Sequence, residues 1–145
     1  MDFNVLPITS DRSTDCGPTC LKMLLNYYGK DAELSDLIRE CNVGVSGCTG
    51  TDLMRVGKAH GLDMASFKCP ATDVYNSDRP AIVWWLYHHF VIYGGIAEDG
   101  RVIILNPDRG RYRVSKGVFK SFFSGYCFSN GMPQDLESLP EAQDQ

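Results

Sequence analysis

The 145-residue sequence predicts an α+β domain, helical before Leu62 and mostly antiparallel sheet after it. Two observations carry this. Apolar residues recur at helical spacing three times in the first 60 positions, and from Leu62 onward short apolar or alternating runs succeed one another between turn residues. In the first helix Cys20, Leu21, Leu24, Leu25 and Tyr28 form one stripe. Pro18 sits in its first turn, where a missing N–H costs little, and Gly29 is a left-handed stop. A second helix, residues 31–41, sets Leu34, Leu37, Ile38 and Cys41 on one face behind a cap at Asp31. The glycine-rich stretch 44–50 lacks the Lys-Ser/Thr ending of a phosphate loop and reads as a turn before a third helix over 51–60. Strands are predicted over 62–68, 81–87, 90–96, 101–105, 111–114 and 126–128, with Glu98-Asp99-Gly100 as a hairpin turn and a short helix over 116–123.

Composition bounds the partners. A 43% hydrophobic content supports a core without staples, and no stretch of about twenty apolar residues occurs, so no membrane span is expected. The first residues have neither the basic region nor the apolar segment of a secretory signal. The net charge of −4 resides in residues 129–145, which hold Asp135, Glu137, Glu141 and Asp144 and no base; residues 1–128 balance fourteen acids with fourteen bases. The sequence therefore divides into a folded body, 1–128, and an acidic, flexible tail, 129–145, whose Leu136 and Leu139 are available for docking. A balanced body has no nucleic-acid footprint; Arg109, Arg111 and Arg113 alternate as on the solvent face of a strand. Six scattered cysteines, Cys16, Cys20, Cys41, Cys48, Cys69 and Cys127, match neither a disulfide framework nor a metal site. Free thiols and a cytoplasmic setting are expected, with no metal or cofactor.

The chemistry centres on Asp15-Cys16-Gly17-Pro18-Thr19-Cys20. A cysteine in the first turn of a helix lies beside unpaired backbone N–H groups, which favour thiolate; Cys16 is a candidate nucleophile with a depressed pKa. A nucleophilic thiol needs a base. His60, at the end of the third helix, is accounted for by the helix dipole, whereas His88 and His89 interrupt two apolar runs. In an extended chain only one of that pair points into a given cleft. Asn106, ending a buried run just before Pro107, can accept an imidazole N–H and fix its tautomer. Cysteine, histidine and asparagine in that order, each in a helix or strand context, suit nucleophilic catalysis.

These residues, together with Tyr28-Gly29, His89-Phe90-Val91-Ile92, Asn106-Pro107 and the segment from Gly50 to Leu62, resemble the bacteriocin-processing cysteine peptidases over residues 12–128. Such papain-like domains commonly precede peptide-exporting ABC transporters and cut leader peptides after a double glycine. The resemblance implies Cys16 as nucleophile, His89 rather than His88 as base, Asn106 as the orienting residue, a leader-peptide substrate and a transporter partner. No transporter is encoded in these 145 residues, so two expectations stand: a piece of a longer chain, or a protein that works alone. The family usually has glutamine as an oxyanion donor six positions before the nucleophile, where this chain has Ser10, and aspartate where it has Asn106. The oxyanion region is thus Ser10 with the Cys16 N–H, and Ser13 and Thr14 are nearby hydroxyl donors. Loss of one such donor typically costs about 10²–10³ in rate. The alternative is a weakened module that binds a peptide, or a papain-like acyl transferase or amidase.

Overall fold

The computed structural model describes residues 1–131, and the expected tail beyond Gly131 lies outside them. A 3-10 turn, Ser13–Asp15, leads into helix α1, Cys16–Tyr27. Cys20, Leu21, Leu24 and Leu25 are fully buried and Met23 nearly so, because α1 has the sheet on one side and two further helices on the other. These are α2, Leu34–Glu40, and α3, Gly50–Ala59. The second helix is shorter than expected. It begins after Glu33, and Asp31 does not cap it. At α3 the start is fixed by a capping box, in which Thr49 Oγ1 accepts from the Asp52 N–H and the Asp52 carboxylate accepts from the Thr49 N–H.

Six strands follow: β1, Ala65–Lys68; β2, Ala81–Trp85; β3, His89–Ile96; β4, Val102–Asn106; β5, Gly110–Val114; and β6, Phe123–Ser129. They form one antiparallel sheet in the order β1-β6-β2-β3-β4-β5, as the sequence predicts in class. Two short helices, α4 (Ala71–Tyr75) and α5 (Lys116–Phe122), complete the described residues. The sequence reading omits α4, whose five residues are too few for a helical stripe. Together α4 and α5 bury Phe119 among Tyr75, Trp85, Tyr93 and Phe123. The central strand β3 is covered on both faces, so it reads as a continuous apolar run: Tyr93 meets α4 through its hydroxyl and the Tyr75 carbonyl, and Phe90 meets α1 at Gly17. Exposure alternates only on the edge strand β5, where Arg111 and Arg113 face solvent and pair with Asp2 and Asp99.

Two differences from the sequence reading bear on the site. Strand β2 stops at Trp85, because Leu86 and Tyr87 adopt φ of 54° and 60° in a reversing turn closed by the His88 N–H on the Trp85 carbonyl. Such a turn normally takes asparagine and glycine. Here it is held from outside, with the Leu86 N–H on the Phe122 carbonyl and the Tyr87 N–H on Ser124 Oγ. The last strand is also longer than expected. It runs through the buried Ser129, and Tyr28 Oη donates to Asn130 Oδ1, so the ordered body extends past residue 128.

Candidate active site

Cys16 is the first residue of α1. The bend that puts it there is stitched by Thr19 Oγ1, which donates to the Asp15 carbonyl at 2.8 Å, and by the Cys16 N–H, which donates to Ser13 O. Gly17 leaves room for the thiol's surroundings: a Cβ there would sit 2.7 Å from Cys48 Sγ and 3.2 Å from Leu53 Cδ2. The Cys16 sulfur lies beside the backbone N–H groups of Phe90 and Gly17. It therefore meets the start of β3, next to His89. The expected depression of its pKa is not what the structure gives. Burial pushes the thiol up, the Phe90 N–H pulls it back, and the Asp108 carboxylate pushes it up again. Cys16 is only 7% exposed, and loss of hydration outweighs the backbone donors of the helix start. The thiol that is drawn down is Cys69, through its hydrogen bond with Cys127. Full burial raises Cys20 strongly, and the hydrogen bond with Cys41 raises Cys48.

His89 and Asn106, each also 7% exposed, form the second half of the site. Imidazole Nε2 lies 2.9 Å from Asn106 Oδ1. The amide orientation follows from its other partners: Oδ1 also accepts the Asp108 N–H at 2.9 Å, and Nδ2 donates to Tyr112 Oη at 3.2 Å. A flipped amide would set N–H against N–H. With Oδ1 fixed as an acceptor, Nε2 must carry the hydrogen, which leaves Nδ1 of the neutral ring as the proton acceptor. Among the described residues no hydrogen bond joins that ring to Cys16 Sγ. The arrangement sets a buried thiol beside an imidazole whose Nε2 is engaged by Asn106 and whose Nδ1 is left to exchange a proton, an order suited to general-base activation of the thiol.

The other expected residues are placed as follows. His88 is exposed in the turn, 6.1 Å ring to ring from His89, and its Nδ1 lies 2.9 Å from the Leu86 carbonyl. His60 caps the end of α3 and its Nε2 lies 2.7 Å from Glu40 Oε1. Ser10 is tied to the site loop by its N–H on the Pro107 carbonyl at 2.9 Å, but its hydroxyl donates to the Arg12 carbonyl. Thr14 Oγ1 is buried without a partner. Sequence reasoning missed Tyr112 and Asp108. The first could be found only from the β4–β5 register, whereas the second is signalled by its place two residues after Asn106, where an Asx turn folds its backbone onto the amide. A cleft of about 540 Å³, lined by the 42–49 loop, Asp52 and Trp84, opens alongside. Its walls reach the neighbours of Cys16 and His89: Cys48 lies against Gly17, and the Trp84 ring is 4.7 Å from that of Phe90. Among the described residues no group of three or more His, Cys, Asp or Glu is arranged to hold a metal, and all six thiols are free.

Known proteins resemble this chain in sequence and in fold. The model of the Peptidase C39 family matches residues 5–130. The chain is 24% identical over 118 residues to the colicin V secretion/processing ATP-binding protein CvaB of Escherichia coli, covering 81% of this chain and 17% of that protein. It is 26% identical over 130 residues to the lacticin-481/lactococcin-DR transport/processing ATP-binding protein of Lactococcus lactis subsp. lactis, covering 84% and 18%. It thus spans less than a fifth of either relative. In fold it is similar to a double glycine motif protease from an AMS/PCAT transporter, solved with its leader peptide, at a TM-score of 0.84 and 23% identity over 88% of this chain and 91% of that one. The peptidase domain of Streptococcus ComA, a bi-functional ABC transporter, matches at a TM-score of 0.78 and 22% identity over 86% and 96%. The fold is papain-like, and the chain belongs to the Peptidase C39 family of cysteine peptidases.

Proposed function

We propose that this domain cleaves a leader peptide after a small-residue or double-glycine site, with Cys16 as nucleophile, His89 as base and Asn106 as the orienting residue. The observation that carries the reading is the 2.9 Å Nε2–Oδ1 contact, which leaves Nδ1 free to take a proton beside the helix that begins at Cys16. Cys16 attacks the scissile carbonyl as its proton passes to His89 Nδ1; His89 returns the proton to the leaving amine, and water then releases the acyl group. The Asn106 amide holds the ring in one tautomer throughout. The oxyanion falls to the Cys16 N–H and the region of Ser10. Because the Ser10 hydroxyl is engaged with Arg12, the enzyme works with a weak oxyanion hole and a low kcat. The substrate class follows from the similar double-glycine protease, and the cleft beside Trp84 is the channel for the residues before the cut.

The relatives are secretion/processing ATP-binding proteins, which supports a peptide exporter as the partner and a cytoplasmic position for this domain; no helix of the described residues is long and apolar enough to cross a membrane. The peptidase unit comprises the body that ends with β6 and Asn130. The test is incubation of the protein with a synthetic leader–cargo peptide carrying Gly-Gly at the junction, with Cys16→Ala as the blank. Cleavage after the second glycine by the wild type alone is expected. Specific binding of the peptide without turnover would replace this reading with that of a peptide-binding module.

A further inference from the structure

We propose that Asp108 is a positioning residue for His89, supplying across 3.6 Å the negative charge that the neutral amide of Asn106 cannot give the imidazole once it is protonated. The inference rests on the Cys16–His89 reading above. Strand β4 ends at Asn106 and β5 begins at Gly110, so Pro107, Asp108 and Arg109 make a tight turn, closed by the Arg109 N–H on the Asn106 carbonyl at 3.0 Å. Inside it the Asp108 N–H binds Asn106 Oδ1, which folds the Asp108 carboxylate back toward Nε2. Among the described residues His89 is the one ion-pair partner of that carboxylate. The Arg109 guanidinium beside it is turned instead over the Tyr112 ring, 4.9 Å from its centre.

The groups around the imidazole give Asp108 a defined effect. Cys16 comes from α1, His88 from the preceding turn at 6.1 Å ring to ring, Asn106 from the end of β4, Asp108 from the turn after it, and the Tyr112 hydroxyl from β5 behind Asn106. Of these, Asp108 is the carboxylate within ion-pair distance. When the thiol proton moves to Nδ1, the new cation has a neutral acceptor at 2.9 Å and this anion at 3.6 Å. The anion opposes the thiolate as well, since its field also reaches Cys16, but the ring lies within ion-pair distance. The net effect tilts the thiol–imidazole pair toward thiolate–imidazolium. Both protons of the pair are held more tightly, whichever group carries each one. The carboxylate is 46% exposed, so water screens part of the interaction.

The experiment is the pH dependence of Cys16 alkylation by iodoacetamide from pH 4 to 10, read by mass on the Cys16 peptide, which needs no substrate. In the wild type the rate rises in two steps as the pair loses its two protons. Asp108→Asn is expected to move both steps to lower pH by about half to one unit and to shrink the first by about 2-fold. A purely structural role would alter the rate and leave both steps in place. Asn106→Asp combined with Asp108→Asn, which returns one carboxylate to the ring, is expected to restore the wild-type step positions. His89→Ala should leave a single step at the thiol's own pKa. If His89→Ala collapses the profile while Asp108→Asn leaves it unmoved, the Asp108 assignment is overturned. If His89→Ala also leaves both steps, the Cys16–His89 pair fails and this inference with it.

Discussion

Replacing Asn106 by alanine removes one side chain with three hydrogen bonds at the site. His89 Nε2–H and the Asp108 N–H lose their acceptor, and Tyr112 Oη loses its donor. Asp108 is exposed and its N–H can turn to water, while the imidazole N–H is left in a buried position. At about 1 kcal/mol for each hydrogen bond, with the unpaired buried donor costing somewhat more, the variant should lose about 2–4 kcal/mol of folding stability. The catalytic loss is counted separately. The imidazole bond is worth about 1–2 kcal/mol in holding one tautomer and one ring orientation, so kcat/KM should fall on the order of 10-fold or somewhat more. The fall is smaller than when a triad partner imposes the wrong tautomer, because alanine imposes none. Urea denaturation gives the first quantity, and leader-peptide cleavage well below KM, at a temperature where the variant is fully folded, gives the second. A folded Asn106→Ala protein with kcat/KM within about 2-fold of wild type would falsify the orienting role and leave Asn106 a structural residue of the β4–β5 turn.

Three further outcomes follow. Ser10→Gln, which restores an amide six positions before Cys16, should raise single-turnover cleavage by about 10-fold with little change in KM, since oxyanion donors act where charge develops; an unchanged rate beside clear wild-type turnover would mean that another group already fills the hole. Gly17→Ala should cost about 1–3 kcal/mol in thermal or urea unfolding because its Cβ meets Cys48 Sγ and Leu53 Cδ2, and wild-type stability would contradict that packing. Asp99, drawn down to about 2 by the Arg101 N–H and side chain and by Arg113, is held below its unfolded value, so its stabilisation is present above about pH 4 and is lost as pH falls through about 2. Asp99→Asn should therefore lose stability at pH 7 and converge with wild type only below about pH 2; a gap independent of pH would count against the ion pairs.

Much of this was legible in the chain because local and global signals agree. The α1 stripe and the Gly29 stop are local chemistry that the fold leaves in place. The candidate site was legible for the same reason, since Cys16 opens a helix, His89 opens a strand and Asn106 closes one. Failures came where tertiary contacts overrule local pattern. Leu86 and Tyr87 read as strand, yet bonds from Phe122 and Ser124 hold them in a left-handed turn. The Cys16 pKa followed burial rather than the helix start, and no one-dimensional pattern shows how deeply the thiol is covered. Asp108 carries no apolar periodicity to mark it; its signal is its place two residues after Asn106, and the turn brings it to the imidazole.

The central claim is that Cys16 is the nucleophile, and a trapped acyl-enzyme tests it most directly. Protein mixed with a Gly-Gly leader–cargo peptide and quenched in acid within the first turnover should show by mass an adduct equal to the leader, minus water, as a thioester on the Cys16 peptide. The adduct should be absent in Cys16→Ala and sparse in His89→Ala. Cargo release with no adduct on Cys16, or an adduct on Cys69, would contradict the account.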